Sequence, residues 1–336
     1  MRAYRKTINV LFTSAGRRVE LLQAFRKAFK ELELGGGIVA VDVDPLAPAL
    51  QLADQPYLVP RLGSPDYIST LVDICRHERV DLVFPLIDPD IPVLARHKQD
   101  IEATGARLAV VPLEAAETTS DKWLTTRFFE GLGLKVPCSW LSTQISPEEL
   151  EYPVFIKPRR GSAGEQTFVV RDPRELNFFI GYVPDPIVQE YLPGPEITCD
   201  VACSSNGMVW AVVCRQRIQV RGGEVSKGMT VSEPAIVENC RKIAEALPAI
   251  GPITIQCLLK EGIPYFTEVN ARIGGGSPLA IAAGANFPRW YLAEAAGMNV
   301  DAPPLGSYKS GLYVTRYDQS FFPTEDVCED IRRYRI

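Results

Sequence analysis

The sequence predicts an α/β chain in two parts: a parallel sheet covered by helices on both faces, then a region of antiparallel sheets with fewer helices. Three observations carry this. Between residues 8 and 112, short apolar runs alternate with amphipathic stretches, the pattern of successive β-α-β units. From residue 196, alternating runs flank Asn206-Gly207, the strongest short-range hairpin signal. Farther on, GPITIQCLLK and PYFTEVN flank a short turn at Gly262 and predict a second hairpin.

The elements follow in order. INVLFT, residues 8–13, reads as the first buried strand. RRVELLQAFRKAFKELEL reads as a helix, with Val19, Leu22, Phe25, Phe29 and Leu32 at helical spacing. GGGIVAVDVD is a second strand, YISTLVDICRHERV a helix, DLVFPL a strand, IPVLARHKQDIEATG one helix and ARLAVV a strand. The first unit ends near residue 112. SDKWLTTRFFEGLGL is a helix capped by Ser120 or Asp121. YPVFIK and EQTFVVR form a hairpin, PRELNFFIGY a helix with Pro173 at its first position, and PIVQEYL a strand. EPAIVENCRKIAEAL is a helix, and SPLAIAAGANFPRWYLAEAAG one closing helix. The stretch RQRIQVRGGEVSKGMTV reads as a loop between the Asn-Gly hairpin and the next helix.

Composition narrows the function. The 336 residues leave room for two or three domains, and 46% hydrophobic with 23% charged residues is ordinary for a soluble globular protein. A net charge of −5 offers no global basic field, so nucleic acid is not an expected partner. No apolar run approaches the roughly 20 residues that span a bilayer, and the first apolar run is too short for a secretory signal. Eight scattered cysteines without a CxxC pair, beside two histidines, argue for buried reduced thiols, against zinc, and for a cytoplasmic location. Ser14-Ala15-Gly16 lacks the GxGxxG fingerprint of dinucleotide sites. Ser14, Gly16, Arg17, Asp42 and Asp44 lie at strand ends, where they either line a substrate crevice or form caps and turns.

Three stretches carry chemistry. In VFIKPRRGSAGEQT, Gly161 and Gly164 let backbone amides approach an anion, and Lys157 ends its strand within reach of a phosphate. This is either a phosphate flap or a solvated basic turn. In the second hairpin, alternation places Phe266, Glu268 and Asn270 on one face, and a turn centred on Gly262 sets Gln256 opposite Glu268. Such oxygen donors suit a hard ion such as Mg²⁺, or else form a polar solvent face. Arg272 and Gly274-Gly275-Gly276 follow. In IVQEYLPGPEIT, the run into Pro-Gly-Pro leaves the backbone of Glu190 to Leu192 without ladder partners. That edge suits adenine, with Glu196 near a ribose, or it is an ordinary turn. In the predicted loop, Arg215, Arg217, Arg221 and Lys227 either grip a substrate carboxylate or transferring phosphoryl group or remain solvated, the latter favoured for Arg221. Pairing through Asn206-Gly207 sets Arg217 opposite Glu196, in competition with a ribose, and Cys199 opposite Cys214 as a buried thiol pair.

Taken together, in this order and spacing, these motifs resemble the ATP-grasp superfamily. Over about residues 1–300 the similarity is greatest to one synthetase unit of the carbamoyl-phosphate synthase large subunit and to short amino-acid ligases. The resemblance implies a Rossmann-like pre-ATP-grasp domain over 1–112, a small lobe with a phosphate flap over 113–192 and a C-terminal lobe over 193–336. It implies ATP held by Lys122, Lys157, the flap residues Gly161, Ser162 and Gly164, the hinge residues Gln189, Glu190, Tyr191 and Leu192, and Glu196. It implies Mg²⁺, replaceable by Mn²⁺, on Gln256, Glu268 and Asn270, with Arg272 and Lys157 acting in catalysis; Lys227 of the predicted loop is read beside them as a third catalytic residue. The expected activity is carboxylate–amine ligation through an acyl phosphate, with small-molecule substrates and room for a homodimer. One such unit cannot supply the two ATP-dependent steps that carbamoyl phosphate requires, so that product is not expected. An ATP-binding regulatory or scaffold protein without turnover is the alternative.

Overall fold

The computed structural model describes residues 6–333 except Ala163; the basic start of the chain, read as leading into the first strand, lies largely outside them. The first sheet has five parallel strands in the order β3-β2-β1-β4-β5: β1 (Thr7–Thr13), β2 (Gly35–Asp42), β3 (Gln55–Leu58), β4 (Leu82–Pro85) and β5 (Arg107–Leu108). Both faces are buried, which is why β1 reads as an unbroken apolar run. Phe12 on β1 packs on Phe25 of α1 (Val19–Glu31) at 5.0 Å and on Phe84 of β4 at 5.8 Å. Leu11, its neighbour on β1, joins the other core with Tyr67 and Leu71 of α2 (Tyr67–His77). Gly36 is required where β2 meets β1, because a Cβ there would lie 1.9 Å from the Ile8 carbonyl oxygen.

Two expectations fail here for local reasons. Edge strand β3 was not foreseen: its Pro56 argues against a strand, yet an edge tolerates proline. The single helix expected after β4 is two, α3 (Asp90–Arg96) and α4 (Lys98–Glu102), divided at His97, whose backbone leaves helical geometry at φ −104° and ψ 21°.

Helices α5 (Leu113–Ser120) and α6 (Lys122–Gly131) lead into a four-stranded antiparallel sheet in the order β6-β9-β7-β8. Its strands are β6 (Ser139–Leu141), β7 (Val154–Pro158), β8 (Phe168–Val170) and β9 (Pro186–Glu190). α7 (Pro173–Tyr182), capped by Asp172, covers one face through Leu176.

The third sheet is antiparallel, in the order β14-β13-β10-β11-β12-β15. It comprises β10 (Glu196–Cys203), β11 (Val209–Arg221), β12 (Glu224–Thr230), β13 (Gly251–Lys260), β14 (Ile263–Asn270) and β15 (Tyr313–Thr315), and α8 (Pro234–Ala246) packs on it. The expected loop over 215–231 is instead the body of the β11–β12 hairpin. Gly222 and Gly223, with φ of 56° and 77°, supply the two positive-φ positions of a tight turn. The closing helix is also two, α9 (Ser277–Ala282) and α10 (Phe287–Ala295), broken where Gly284 takes φ 118°. Phe129 of α6 packs on Phe266 of β14 at 5.6 Å, which anchors α6 to this sheet.

Cys199 faces Cys214 across β10 and β11 with sulfurs 3.4 Å apart; seven of the eight cysteines are buried, Cys138 is exposed, and none is in a disulfide. In the same strand pair, Asp200 takes Arg215 in two hydrogen bonds, 2.6 Å from Nε and 3.3 Å from Nη2. Both side chains are nearly water-free, at 7% and 5% exposure. Removing the acid would strand a buried guanidinium, so Asp200→Ala is expected to lose about 3–5 kcal/mol in urea unfolding. A loss below about 1 kcal/mol would show that water reaches the pair.

Candidate active site

The three sheets converge on one cavity of about 870 Å³. Lys157, at the end of β7, lines it and is only 8% exposed. Its ammonium has no hydrogen bond or ion pair among the described residues and stands 5.9 Å from the centre of the Phe155 ring. Burial pushes its pKa down to about 8, with Glu268 opposing that shift and Lys122 adding to it. Lys122, the first residue of α6, donates to the flap carbonyl of Gly161 at 2.8 Å and stands 3.9 Å from Glu268.

The hairpin tip after Lys157 carries two further cations, and both turn away from the cavity. Arg159 and Arg160 hold Asp121, the N-cap of α6, at 2.5 and 3.0 Å. Burial works against the Asp121 charge, but Arg159 and the amides of Leu124 and Trp123 bring its carboxyl below the usual range. The flap base is thereby clipped to α6, while Gly161, Ser162 and Gly164 line the cavity above Lys157; Ala163 lies outside the described residues.

Gln189, Glu190, Tyr191 and Leu192, at the end of β9, form another wall. Tyr191 and Leu192 enter no ladder pair, as expected, but the Glu190 amide donates to the Cys138 carbonyl at 2.8 Å. The Glu190 carboxylate is held by Lys260 at 2.7 Å, and Gln189 Nε2 donates to Ser139 at 2.8 Å. Glu196 accepts from Arg217 at 2.8 Å and from Gln256 Nε2 at 2.9 Å.

The opposite wall is the β13–β14 hairpin. Gln256 pairs with Glu268, and Thr254 with Asn270. A bulge at Thr267 breaks the alternation, so Phe266 enters the core while Thr267, Glu268 and Asn270 line the cavity. The expectation that Phe266 shares the face of Glu268 is corrected. With its amide nitrogen towards Asp88, Asn270 donates to Oδ1 at 2.9 Å. Asp88 also takes Arg272 Nη2 at 2.8 Å. Arg272 Nε is buried without a hydrogen-bond partner.

Lys227, expected to act in catalysis, does not line the cavity. It is exposed on β12, where it pairs with Thr315 of the edge strand. Ser14, Gly16, Asp42 and Asp44 also stay out: Ser14 donates to Asp90 at 2.9 Å, and the amides of Gly16 and Asp44 donate to Asp42 at 2.8 and 3.1 Å. Of that group Arg17 alone lines the cavity, joined by the unforeseen Arg18, Asp88 and Glu224. Asp88 had a legible signal, since it follows the C-terminal end of β4, where crevices form in parallel sheets. The glycine run after Arg272 makes room for arginines. A Cβ on Gly275 would lie 2.2 Å from Arg18 Nη1, and one on Gly276 would lie 2.4 Å from Arg215 Nη1.

Residues 119–276 match the ATP-grasp domain family, and residues 10–109 match the PylC-like N-terminal domain family. The chain carries an ATP-grasp domain. Among relatives, the carbamoyl phosphate synthase large chain of Sulfolobus acidocaldarius is 23% identical over 63% of this chain and 22% of its own length. The 3-methyl-D-ornithine–L-lysine ligase of Methanosarcina barkeri is 22% identical over 77% of this chain and 67% of its own. The solved L-amino acid ligase of Bacillus licheniformis superposes with a TM-score of 0.69 at 20% identity, covering 90% of this chain and 77% of its own, a likeness of fold. The chain spans under a quarter of the carbamoyl phosphate synthase large chain that it matches. Lys122, Lys157, Glu196, Gln256, Glu268, Asn270 and Arg272 all lie within the ATP-grasp segment, whereas Asp88 comes from the N-terminal one. Among the described residues, no helix is long and apolar enough to cross a membrane.

Proposed function

We propose that the chain is an ATP-dependent ligase that joins a small, amino-acid-like carboxylate to an amine through an acyl phosphate. The observation that carries this reading is a buried ammonium without a partner, Lys157, facing the cavity that also holds Arg272, whose buried Nε–H is unsatisfied. A buried ammonium without a partner carries a free-energy cost that an incoming anion offsets. The 3-methyl-D-ornithine–L-lysine ligase and the L-amino acid ligase point by name to amino-acid-like substrates.

The residues then divide the work. Lys157, Lys122 and the flap amides around Gly161, Ser162 and Gly164 bind the phosphates. Gln189, Glu190, Tyr191 and Leu192 flank the base, and Glu196 reaches a ribose hydroxyl only by sharing its bonds with Arg217 and Gln256. Glu268, with the side-chain oxygens of Asn270 and Gln256, would hold Mg²⁺. Among the described residues no three His, Cys, Asp or Glu side chains form a metal cage. That fits an ion bound through one carboxylate plus substrate phosphates. When bound, the ion supplies charge neutralisation on the phosphates. Arg272, oriented by Asp88, stabilises charge on the phosphoryl group in transit.

The substrate carboxylate oxygen attacks the γ-phosphorus, and the bond to ADP breaks. The substrate ammonium gives up one proton to solvent, the free amine nitrogen attacks the acyl carbon, the bond to phosphate breaks, and the new amide nitrogen releases its second surplus proton. With the twenty protein amino acids supplied as carboxylates and hydroxylamine as the amine, ADP release and a hydroxamate are expected together. ATP binding with neither product would overturn the reading and favour the regulatory alternative.

A further inference from the structure

Arg215 of β11 has no part in the reaction as described so far, yet it lines the main cavity at 4% exposure. Its partner Asp200 lies behind it, outside the cavity lining. A buried ion pair adds little net stability over apolar side chains of similar size, and this one is set into a cavity wall. Asp200 takes the side edge of the guanidinium, Nε at 2.6 Å and Nη2 at 3.3 Å. Nη1 has no hydrogen-bond partner among the described residues, so the end edge, Nη1 with Nη2, is left as a fork of donors. The backbone of Gly276 lies against the guanidinium: a Cβ there would stand 2.4 Å from Cζ and 2.8 Å from Nη2. A planar fork clamped in this way is preorganised for the two oxygens of a carboxylate.

The sheet register says which carboxylate. Arg215 pairs with Thr198, Thr198 with Gln256, and Gln256 with Glu268. Arg215 thus stands three strands from Glu268, about 14 Å at the usual strand spacing. The glycine run crosses the same interval. A Cβ on Gly274 would lie 2.8 Å from Thr254 Oγ1 and 2.9 Å from Asp200 Oδ1, and Gly276, four residues past Arg272, lies on Arg215. Phosphoryl transfer belongs at the Glu268 and Arg272 end, so an anion on Arg215 is remote from the atoms that react. The charges at the glycine end agree. Arg18 lies against Gly275, and Arg316 donates to the Gly275 carbonyl. With Arg215 these make three guanidiniums facing two carboxylates, Asp200 and Glu224; Arg18 holds Glu224 at 2.7 Å and Arg316 stands 3.6 Å from it. Glu20, the other partner of Arg316, is 52% exposed and screened by solvent.

We propose that Arg215 selects the acid substrate, and that this substrate is a dicarboxylate. One carboxylate attacks the γ-phosphorus beside Glu268 and Arg272, and the other rests unreacted on the end edge of Arg215. This rests on the ligase reading above.

The test keeps hydroxylamine as the amine and compares acids in pairs of matched length: aspartate with asparagine, glutamate with glutamine, succinate with butyrate and glutarate with pentanoate. In the wild type the best dicarboxylate is expected to exceed its partner in kcat/KM for hydroxamate by at least ~10-fold, the scale of a charge-assisted pair of hydrogen bonds. That preference needs no variant and tests the assignment by itself. Arg215→Met together with Asp200→Asn removes both charges of the pair, so neither is left buried alone. In this double variant the ratio is expected to fall to about 1, through KM for the dicarboxylate and not through the affinity for ATP. Damage to the fold would lower both members of a pair alike and leave their ratio as it was. If hydroxamate forms without a preference for dicarboxylates, the assignment to Arg215 falls and the ligase reading stands. The same holds if the double variant keeps the preference, or if it weakens ATP binding as much as it raises KM. If no acid gives hydroxamate, the ligase reading falls and takes the assignment with it.

Discussion

Lys157→Met is expected to make the free protein more stable and to cost it nucleotide binding. The ammonium is buried with no partner among the described residues, and burial brings its pKa from 10.5 to about 8. That depression corresponds to roughly 3 kcal/mol of unfavourable free energy carried by the charged native state. The sign follows from proton binding. Between pH 8 and 10.5 the unfolded chain holds the proton and the native chain releases it, so wild-type stability rises with pH through that window. Below pH 8 both states are protonated and the full cost remains. Methionine keeps a similar unbranched stem and removes the charge. The variant should therefore exceed wild type by up to roughly 3 kcal/mol at pH 7 in urea unfolding, and the gap should close towards pH 10.5. ATP affinity, measured by calorimetric titration, should fall at least ~100-fold, the scale for losing one buried charged partner. In the wild type that affinity should weaken as pH rises above about 8, because phosphate binding draws on the protonated form. A variant less stable than wild type by the same amount at every pH would show that Lys157 is not a strained cation waiting for an anion.

The residues of the cavity were legible in the sequence where chemistry is local and opaque where it is assembled from distant segments. The register that sets Gln256 against Glu268 is an instructive case. The turn is not centred on Gly262. Glu261 and Gly262 form a two-residue turn with φ of 54° and 77°, which pairs Lys260 with Ile263 and offsets the ladder by one. The bulge at Thr267 adds one residue and restores the predicted pairing. Two errors cancel at Glu268 and do not cancel at Phe266, which is why one was placed correctly and the other was not. Arg217 faces Glu196 through a similar cancellation: next to the turn Cys203 pairs with Val209, one residue off the register that Asn206-Gly207 predicts, and the shift after Ala202 restores it as far as Ile197 and Gln216. Lys227 misled because a basic, glycine-containing stretch reads as a loop, whereas Ile218, Val220 and Val225 carry a strand through it. Arg18, Glu224 and Arg316 could not be foreseen at all. Arg18 comes from more than 200 residues before the other two, and a glycine backbone that leaves it room says nothing locally about which side chains will use it.

Glu268→Gln separates two roles that the geometry allows for one carboxylate. As a metal ligand, Glu268 anchors the ion that offsets phosphate charge. As a neighbour of Lys122 at 3.9 Å, and a charge that opposes the fall in the Lys157 pKa, it helps keep the lysines cationic. The two roles predict opposite results when magnesium is withheld. A negative charge beside a polyphosphate is repulsive unless a metal lies between them. If metal binding dominates, the neutral glutamine leaves magnesium-free ATP affinity equal to wild type or higher, while magnesium no longer improves it. ADP release then drops by at least ~10³-fold, the order expected when several kcal/mol of charge stabilisation are removed from the transition state. If support of the lysines dominates, magnesium-free affinity itself falls, and it weakens at lower pH than in wild type because Lys157 loses its proton sooner. Thr254 and Asn270 continue the same ladder beyond the substituted position, so the hairpin should keep its register and the result should report charge. ADP release at the wild-type rate in this variant would remove Glu268 from the metal site and, with it, the case for a divalent ion between β13 and β14.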